Sequence, residues 1–173
     1  MQRIDNFLPD DLFGPMQGLL MNGDLNQQMP WFYRYAMSDE YDTEGFVFGN
    51  DIFDRGQIPD MGLFEDIAWP ITSRLPMSSL IRIKVNCHPR QTLRNTENYP
   101  KCRYHVDMFQ EHMVAILSIN SCNGYTEFED GTKLESRENS LVIFDGKLKH
   151  RSVGQTDTNI RVNVNINFVR EGV

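Results

Sequence analysis

A chain of 173 residues can bury one core of ordinary size. Its 40 % apolar and 24 % charged residues describe a soluble globular protein, and no apolar run reaches the roughly 18 residues that a membrane helix needs. A formal net charge of −7 argues against a nucleic-acid partner, because such affinity comes largely from neutralising phosphates. Arg90, Arg94, Lys101 and Arg103 form a local basic cluster, read as a solvated loop. The first residues, Met1 to Asn6, lack the apolar stretch of a secretory signal, so the expected compartment is the cytoplasm.

No repeat or low-complexity tract divides the chain, so one domain is expected: helical support over about 1–78, then a barrel core over about 79–170. Asp10 is placed to cap a helix whose buried face carries Leu12, Phe13, Met16, Leu19 and Leu20, with Gly23 as its stop. Trp31 to Tyr35 reads as a strand, and Phe46-Val47-Phe48 as a short apolar run. A second helix is expected from Met61 to Leu75, kinked or split where Pro70 removes an amide.

After Pro76 the pattern changes to period two. Ile81, Ile83, Val85 and Cys87 share one face of a strand from Leu80 to Cys87, and Arg82, Lys84, Asn86 and His88 share the other. A polar loop follows from Pro89 to Lys101. Further strands are read at Arg103–Asp107, Met113–Asn120, Tyr125–Phe128, Ser140–Phe144 and Asn159–Val169, with turns at Asp130-Gly131 and Asp145-Gly146. In the last strand Ile160, Val162, Val164, Ile166 and Phe168 oppose Asn159, Arg161, Asn163, Asn165 and Asn167. Short strands with turn residues between them suggest an antiparallel sandwich or barrel, the helices packed outside one sheet. Alternation alone leaves two readings of the polar faces, solvent or a site inside the barrel.

Chemistry enters at Tyr104-His105-Val106-Asp107. Residues i and i+2 of a strand point to the same side, so His105 and Asp107 can aim at one point. His150 follows, at the start of the strand-like segment Lys149 to Gly154. Two histidines and a carboxylate on one side of iron(II) leave positions for a chelating cosubstrate and for oxygen. Arg161, with ten residues between it and His150, returns beside it after a turn near Gly154 to Thr158. Its guanidinium suits the far carboxylate of a dicarboxylate that chelates the metal at its other end.

At these residues the chain resembles the 2-oxoglutarate and iron(II)-dependent oxygenase superfamily, most of all its compact prolyl-hydroxylase-like branch, which includes bacterial and phage versions. Ile4-Asp5-Asn6-Phe7-Leu8-Pro9 is similar to that family's lead into its first helix. Asn123-Gly124-Tyr125-Thr126-Glu127-Phe128 is similar to its glycine-rich strand, and Leu141 to Gly146 to the strand before the distal histidine. The resemblance implies a mainly β double-stranded β-helix (a jelly-roll or cupin-like fold) with N-terminal helices on the major sheet. It implies that His105, Asp107 and His150 are the catalytic metal ligands and that Arg161 binds 2-oxoglutarate. Asn86 and Asn163 are further candidate contacts to the cosubstrate, and Ser118 or Asn120 stands where the family usually has a tyrosine.

The implied activity is that of a non-haem iron(II) dioxygenase. It couples oxidative decarboxylation of 2-oxoglutarate to succinate and CO2 with hydroxylation of a substrate C–H bond. The halogenating members lack the carboxylate ligand, and Asp107 is present here. The implied cofactors are Fe(II), 2-oxoglutarate and O2, with ascorbate as a candidate reductant. The implied substrate is a peptide or protein side chain, with peptidyl proline first, or else a small molecule. The loops Asp39–Asp60 and Pro89–Lys101 are expected to border the site. The alternatives are a cupin-like metal-binding module or non-redox metalloenzyme, which would not require Arg161, and a purely structural jelly roll, which would not require the triad.

Other residues have plainer readings. His112 and the flanking pair Glu127 and Glu129 are expected in solvent, and His88 as a loop histidine, with a group behind the metal ligands or a substrate contact as its alternatives. Cys87, Cys102 and Cys122 are odd in number and form no CxxC, so reduced thiols are expected. Cys87 and Cys122 read as core filler, and Cys102 as the thiol nearest the site. The pattern sets no oligomeric state.

Overall fold

The computed structural model describes residues 1–21, 29–35, 45–90 and 102–172. The expected stop at Gly23, Arg94 and Lys101 of the basic cluster, and most of the Pro89–Lys101 loop lie outside them. Two sheets face each other. The larger has seven strands in the order β1 (Gln2–Ile4), β8 (Ser140–Asp145), β5 (Met113–Ser118), β10 (Ile160–Arg170), β4 (Met77–Pro89), β3 (Val47–Asp54), β2 (Phe32–Arg34). The smaller has β7 (Lys133–Ser136), β6 (Cys122–Phe128) and β9 (His150–Val153). Every pairing is antiparallel, which gives the double-stranded β-helix.

The outer face of the major sheet is apolar and meets the helices. Ile83 and Val85 of β4 and Val162, Val164 and Ile166 of β10 pack with Phe13, Met16 and Leu20 of α1 (Asp10–Met21) and with Ile67 and Ile71. The polar alternates of β4 and β10 face inward, where a shared register pairs Arg161 with His88, Asn163 with Asn86, Asn165 with Lys84 and Asn167 with Arg82. The inner face of β5 and β8 is apolar instead: Val114, Val142 and Phe144 pack with Phe128 of the minor sheet. One half of the barrel is therefore sealed and the other is polar, and the site lies in the polar half.

Several elements differ from the reading of the sequence. The helix from Met61 is shorter than expected: α2 (Met61–Leu63), a π-helical turn at Phe64–Ala68 and α3 (Trp69–Thr72) run on without a break. The widened turn, closed by Trp69 N–H to the Phe64 carbonyl, accommodates Pro70, which has no amide to give. Asp10 is the first helical residue rather than the cap, since the Pro9 carbonyl accepts from Leu12 and Phe13; its charge still faces the positive helix end. A bulge in β4 pairs Phe168 with Leu80 instead of Ile81, so Leu80 packs on the helical core and Ile81 stands at the irregularity. Half of the described part of the expected Asp39–Asp60 loop is β3. Strands β1 and β7 were not expected. Among the described residues, no helix is long and apolar enough to cross a membrane.

Candidate metal centre

The segment read as a strand at Arg103–Asp107 is reduced to one bridge. His105 and His150 exchange both backbone bonds, each 3.0 Å, and this brings their imidazoles to a centroid separation of 5.0 Å. Asp107 lies two residues on, on the same side. The ligand atoms of His105, Asp107 and His150 lie within 4.8 Å of one another, with Asp107 Oδ1 3.6 Å from His105 Nε2 and 3.5 Å from His150 Nε2. Among the described residues it is the single group of three or more such donors.

Each donor is oriented by a second contact. His105 Nδ1 lies 2.9 Å from the Arg103 carbonyl and His150 Nδ1 lies 3.0 Å from the Leu148 carbonyl. A carbonyl only accepts, so both Nδ1 atoms carry hydrogen and both Nε2 atoms face Asp107. Phe128 and Phe144 wall in the His150 ring at 6.0 and 5.1 Å. Asp107 Oδ2 accepts from Asn165 (3.0 Å) and Asn167 (2.8 Å), and the Arg82 guanidinium stands 3.5 Å away. Oδ1 is left for the cluster. Without a metal, burial is the largest single influence and works against charge on both His105 and Asp107, but their mutual hydrogen bond and the other polar contacts together outweigh it. His105 is raised to about 10, helped next by Cys102, and Asp107 is held well below the usual carboxylate range, helped next by His150. Two nitrogens and one carboxylate oxygen on one side suit a divalent transition metal with open positions.

The cluster opens into a cavity of about 550 Å³ whose lining includes Arg161. Only 2 % of Arg161 is exposed, and its hydrogen-bond partners among the described residues are all neutral. It donates to Ser136 Oγ (2.7 Å), Ser152 Oγ (2.8 Å), Thr126 Oγ1 (3.2 Å) and the carbonyls of Tyr125 and Val153. Among the described residues, no carboxylate pairs with it. A buried cation without a counter-charge is costly, and burial lowers the Arg161 pKa. Gly124 makes room for it: a Cβ there would lie 3.0 Å from Arg161 Cδ.

Other expected residues divide into two groups. Asn86 and Asn163 line the cavity and bond to each other, Nδ2 of Asn86 to Oδ1 of Asn163 at 3.2 Å. Ser118 and Asn120 do not line it. Ser118 sits opposite Asn163 at the end of β5, and Ile116 takes the lining position. Asn120 is occupied by backbone, donating to the Ile160 carbonyl (3.0 Å) and accepting from Val162 N–H (2.9 Å).

The expected solvated residues also change place. His112 is buried against Gly146, and Glu127 accepts a two-point contact from Arg151 at 2.8 and 2.5 Å. Sequence reasoning undervalued His88. It lines the cavity across from Arg161, with Nδ1 buried and without a partner among the described residues. Burial first, then Arg161 and Lys84, hold its pKa well below the usual range, so the ring is neutral. The cysteines are free, as expected; Cys102 lines the cavity and accepts from Ser152 N–H at 2.9 Å.

No family model and no curated protein matches this chain. Solved structures do. A prolyl hydroxylase from Trichoplax adhaerens, in complex with a hypoxia inducible factor oxygen degradation domain peptide fragment, aligns at TM-score 0.66 and 14 % identity, covering 98 % of this chain and 83 % of that one. A prolyl-4-hydroxylase from Pseudomonas putida aligns at 0.54 and 17 %, covering 99 % and 92 %. A non-haem alpha-ketoglutarate-dependent epimerase from nogalamycin biosynthesis aligns at 0.62 and 10 %, covering 99 % and 80 %. At identities this low the likeness speaks for the architecture. The chain has the double-stranded β-helix fold of the prolyl hydroxylases and related 2-oxoglutarate/iron(II) oxygenases, and it carries a His-Asp-His cluster inside that fold.

Proposed function

We propose that this protein is an iron(II)- and 2-oxoglutarate-dependent oxygenase that hydroxylates a C–H bond of its substrate. The observation that carries the reading is one cavity holding a two-histidine, one-carboxylate cluster and a buried arginine with only neutral partners. A non-redox metal module would need the first feature but not the second. A dicarboxylate chelating a metal at one end needs both.

In this reading His105 and His150 offer Nε2 and Asp107 offers Oδ1 to iron(II). Asn165 and Asn167 hold the other carboxylate oxygen, so Asp107 cannot rotate away. Arg161 receives the distal carboxylate of 2-oxoglutarate, and Ser136, Ser152 and Thr126 keep its guanidinium aimed before the ligand arrives. His88, whose unpartnered Nδ1 lies in the same wall, and the Asn86–Asn163 pair supply further polar contacts to the cosubstrate. When bound, iron(II), 2-oxoglutarate and O2 supply the oxidant: one oxygen atom ends in succinate and the other in the substrate hydroxyl, with release of CO2. Ascorbate serves as the reductant that returns iron to the ferrous state. The substrate we favour is a peptide, with prolyl hydroxylation as first choice; an open cavity fits a side chain presented from outside, and the Trichoplax enzyme was solved with a peptide.

Calorimetric titration with oxygen excluded tests this reading. 2-Oxoglutarate should bind only when a divalent metal is present, and Arg161→Gln should weaken that binding. Binding that ignores both the metal and Arg161 would overturn it.

A further inference from the structure

The cavity is far more basic than the chain around it. Arg82, Lys84, Lys149 and Arg161 line it, with Asp107 the one acidic lining residue among those described, in a protein of net charge −7. Under the function proposed above, a divalent metal, Asp107, a dianionic cosubstrate and Arg161 cancel one another. Lys149 lies at the rim, 3.3 Å from Glu129. Arg82 and Lys84 are left over.

Their surroundings support the same count. Both project from the inner face of β4, two residues and therefore about 7 Å apart along the strand. Arg82 donates through Nε to Asn167 Oδ1 at 3.0 Å, which holds its guanidinium beside the metal ligand Asp107. Among the described residues, no hydrogen bond or ion pair engages Lys84 Nζ. Its cross-strand neighbour Asp51 could neutralise it but is taken by Arg34 at 2.6 Å. Gly49 is what lets the lysine lie over β3, because a Cβ there would sit 3.1 Å from Lys84 Cε. Burial, followed by repulsion from Arg34 and Arg82, lowers Lys84 to about 8. Asp51 and Asp107 act on it only from a distance, and a half-buried ammonium that no carboxylate among the described residues bonds, beside a guanidinium aimed at the reaction centre, is arranged to receive an anion.

We propose that the primary substrate is acidic: it carries a carboxylate beside the carbon that is oxidised, and Lys84 together with Arg82 holds that carboxylate. The proposal rests on the oxygenase reading and gives it a substrate class. The group recognised is an Asp or Glu next to the target residue of a peptide, or the carboxylate of a free acid.

The test uses the full chain loaded with iron(II) and saturating 2-oxoglutarate. One arm compares peptides that carry Asp or Glu beside a central proline or aliphatic residue with their Asn or Gln counterparts. The other compares free dicarboxylic amino acids with their amides. Gain of one oxygen atom is read by mass, and binding is read by calorimetry with oxygen excluded. In one arm the acidic member should be preferred by about tenfold or more in kcat/KM. Lys84→Gln should erase that preference while leaving the KM for 2-oxoglutarate nearly unchanged, and Lys84→Arg should keep most of it. Amides accepted as well as acids, or a preference that survives Lys84→Gln, overturns the proposal. Succinate release without added substrate separates the two levels. If succinate forms but acids have no advantage, the substrate class alone falls; if the loaded protein neither binds 2-oxoglutarate nor forms succinate, both readings fall.

Discussion

Nδ1 of His105 and Nδ1 of His150 each face a backbone carbonyl, and this fixes what the opposite nitrogens can do. In the metal-free protein burial opposes charge on His105, but Asp107 and then Cys102 raise it to about 10. At neutral pH that ring is therefore protonated and Nε2 is no ligand. A metal ion must displace the proton, so affinity rises with pH. Below about 10 the apparent dissociation constant should fall by about tenfold per pH unit, with one proton released per ion from this group. Titrations in buffers of different ionisation heat measure that proton, and an affinity that is flat between pH 6.5 and 9 would contradict the raised His105 pKa. Arg161 acts by a different route. If it holds the distal carboxylate as proposed, Arg161→Gln removes a two-point charged contact and should cost about 2–5 kcal/mol of cosubstrate affinity, and Arg161→Lys should recover part of it.

At the scale of elements, the site depends on how β10 and β4 pair. Their register sets Asn165 and Asn167 under Asp107 and Arg161 across from His88. Gly124 in β6 keeps space for the guanidinium, so Gly124→Val should raise the KM for 2-oxoglutarate with little effect on metal binding. Far from the site, Asn139 clamps the N-terminal segment. Its side chain accepts from Leu8 N–H at 3.0 Å and donates to the Leu8 carbonyl at 2.7 Å, from a backbone with φ of 52°. Asn139→Ala loses both bonds and is strained in the left-handed region, so it should destabilise the fold by about 1–3 kcal/mol in chemical denaturation. An unchanged midpoint would count against the clamp.

The faces of β4 and β10 were legible in the sequence because period two survives for many residues there. The triad was legible because i and i+2 share a side even where, as at His105 and Asp107, the strand shrinks to one bridge. Strands β1 and β7 were not legible, since three or four residues carry no countable period and Lys133–Ser136 is mostly polar. The β4 bulge was hidden because Leu80 and Ile81 are both apolar and either fits the core face. Ser118 and Asn120 lie off the cavity lining, and the sequence does not show it: alternation gives a side of the sheet, but not which residue along that side reaches the cavity or is tied up by backbone.

For the molecule as a whole, the inner surface of the barrel is divided between an apolar half, closed by Phe128, Val142 and Phe144, and a polar half that is cationic before any ligand enters. Ligands that fill the second half should stabilise the fold through linkage. Divalent metal and 2-oxoglutarate together should raise Tm more than either alone, and a Tm indifferent to both would speak against a prepared site. Succinate formation reports on the proposed catalysis itself. The protein loaded with iron(II) and supplied with 2-oxoglutarate and O2 should release succinate, and Asp107→Ala or a chelator should abolish that release. No succinate from the loaded native chain with any substrate, or the same rate from Asp107→Ala, would contradict it.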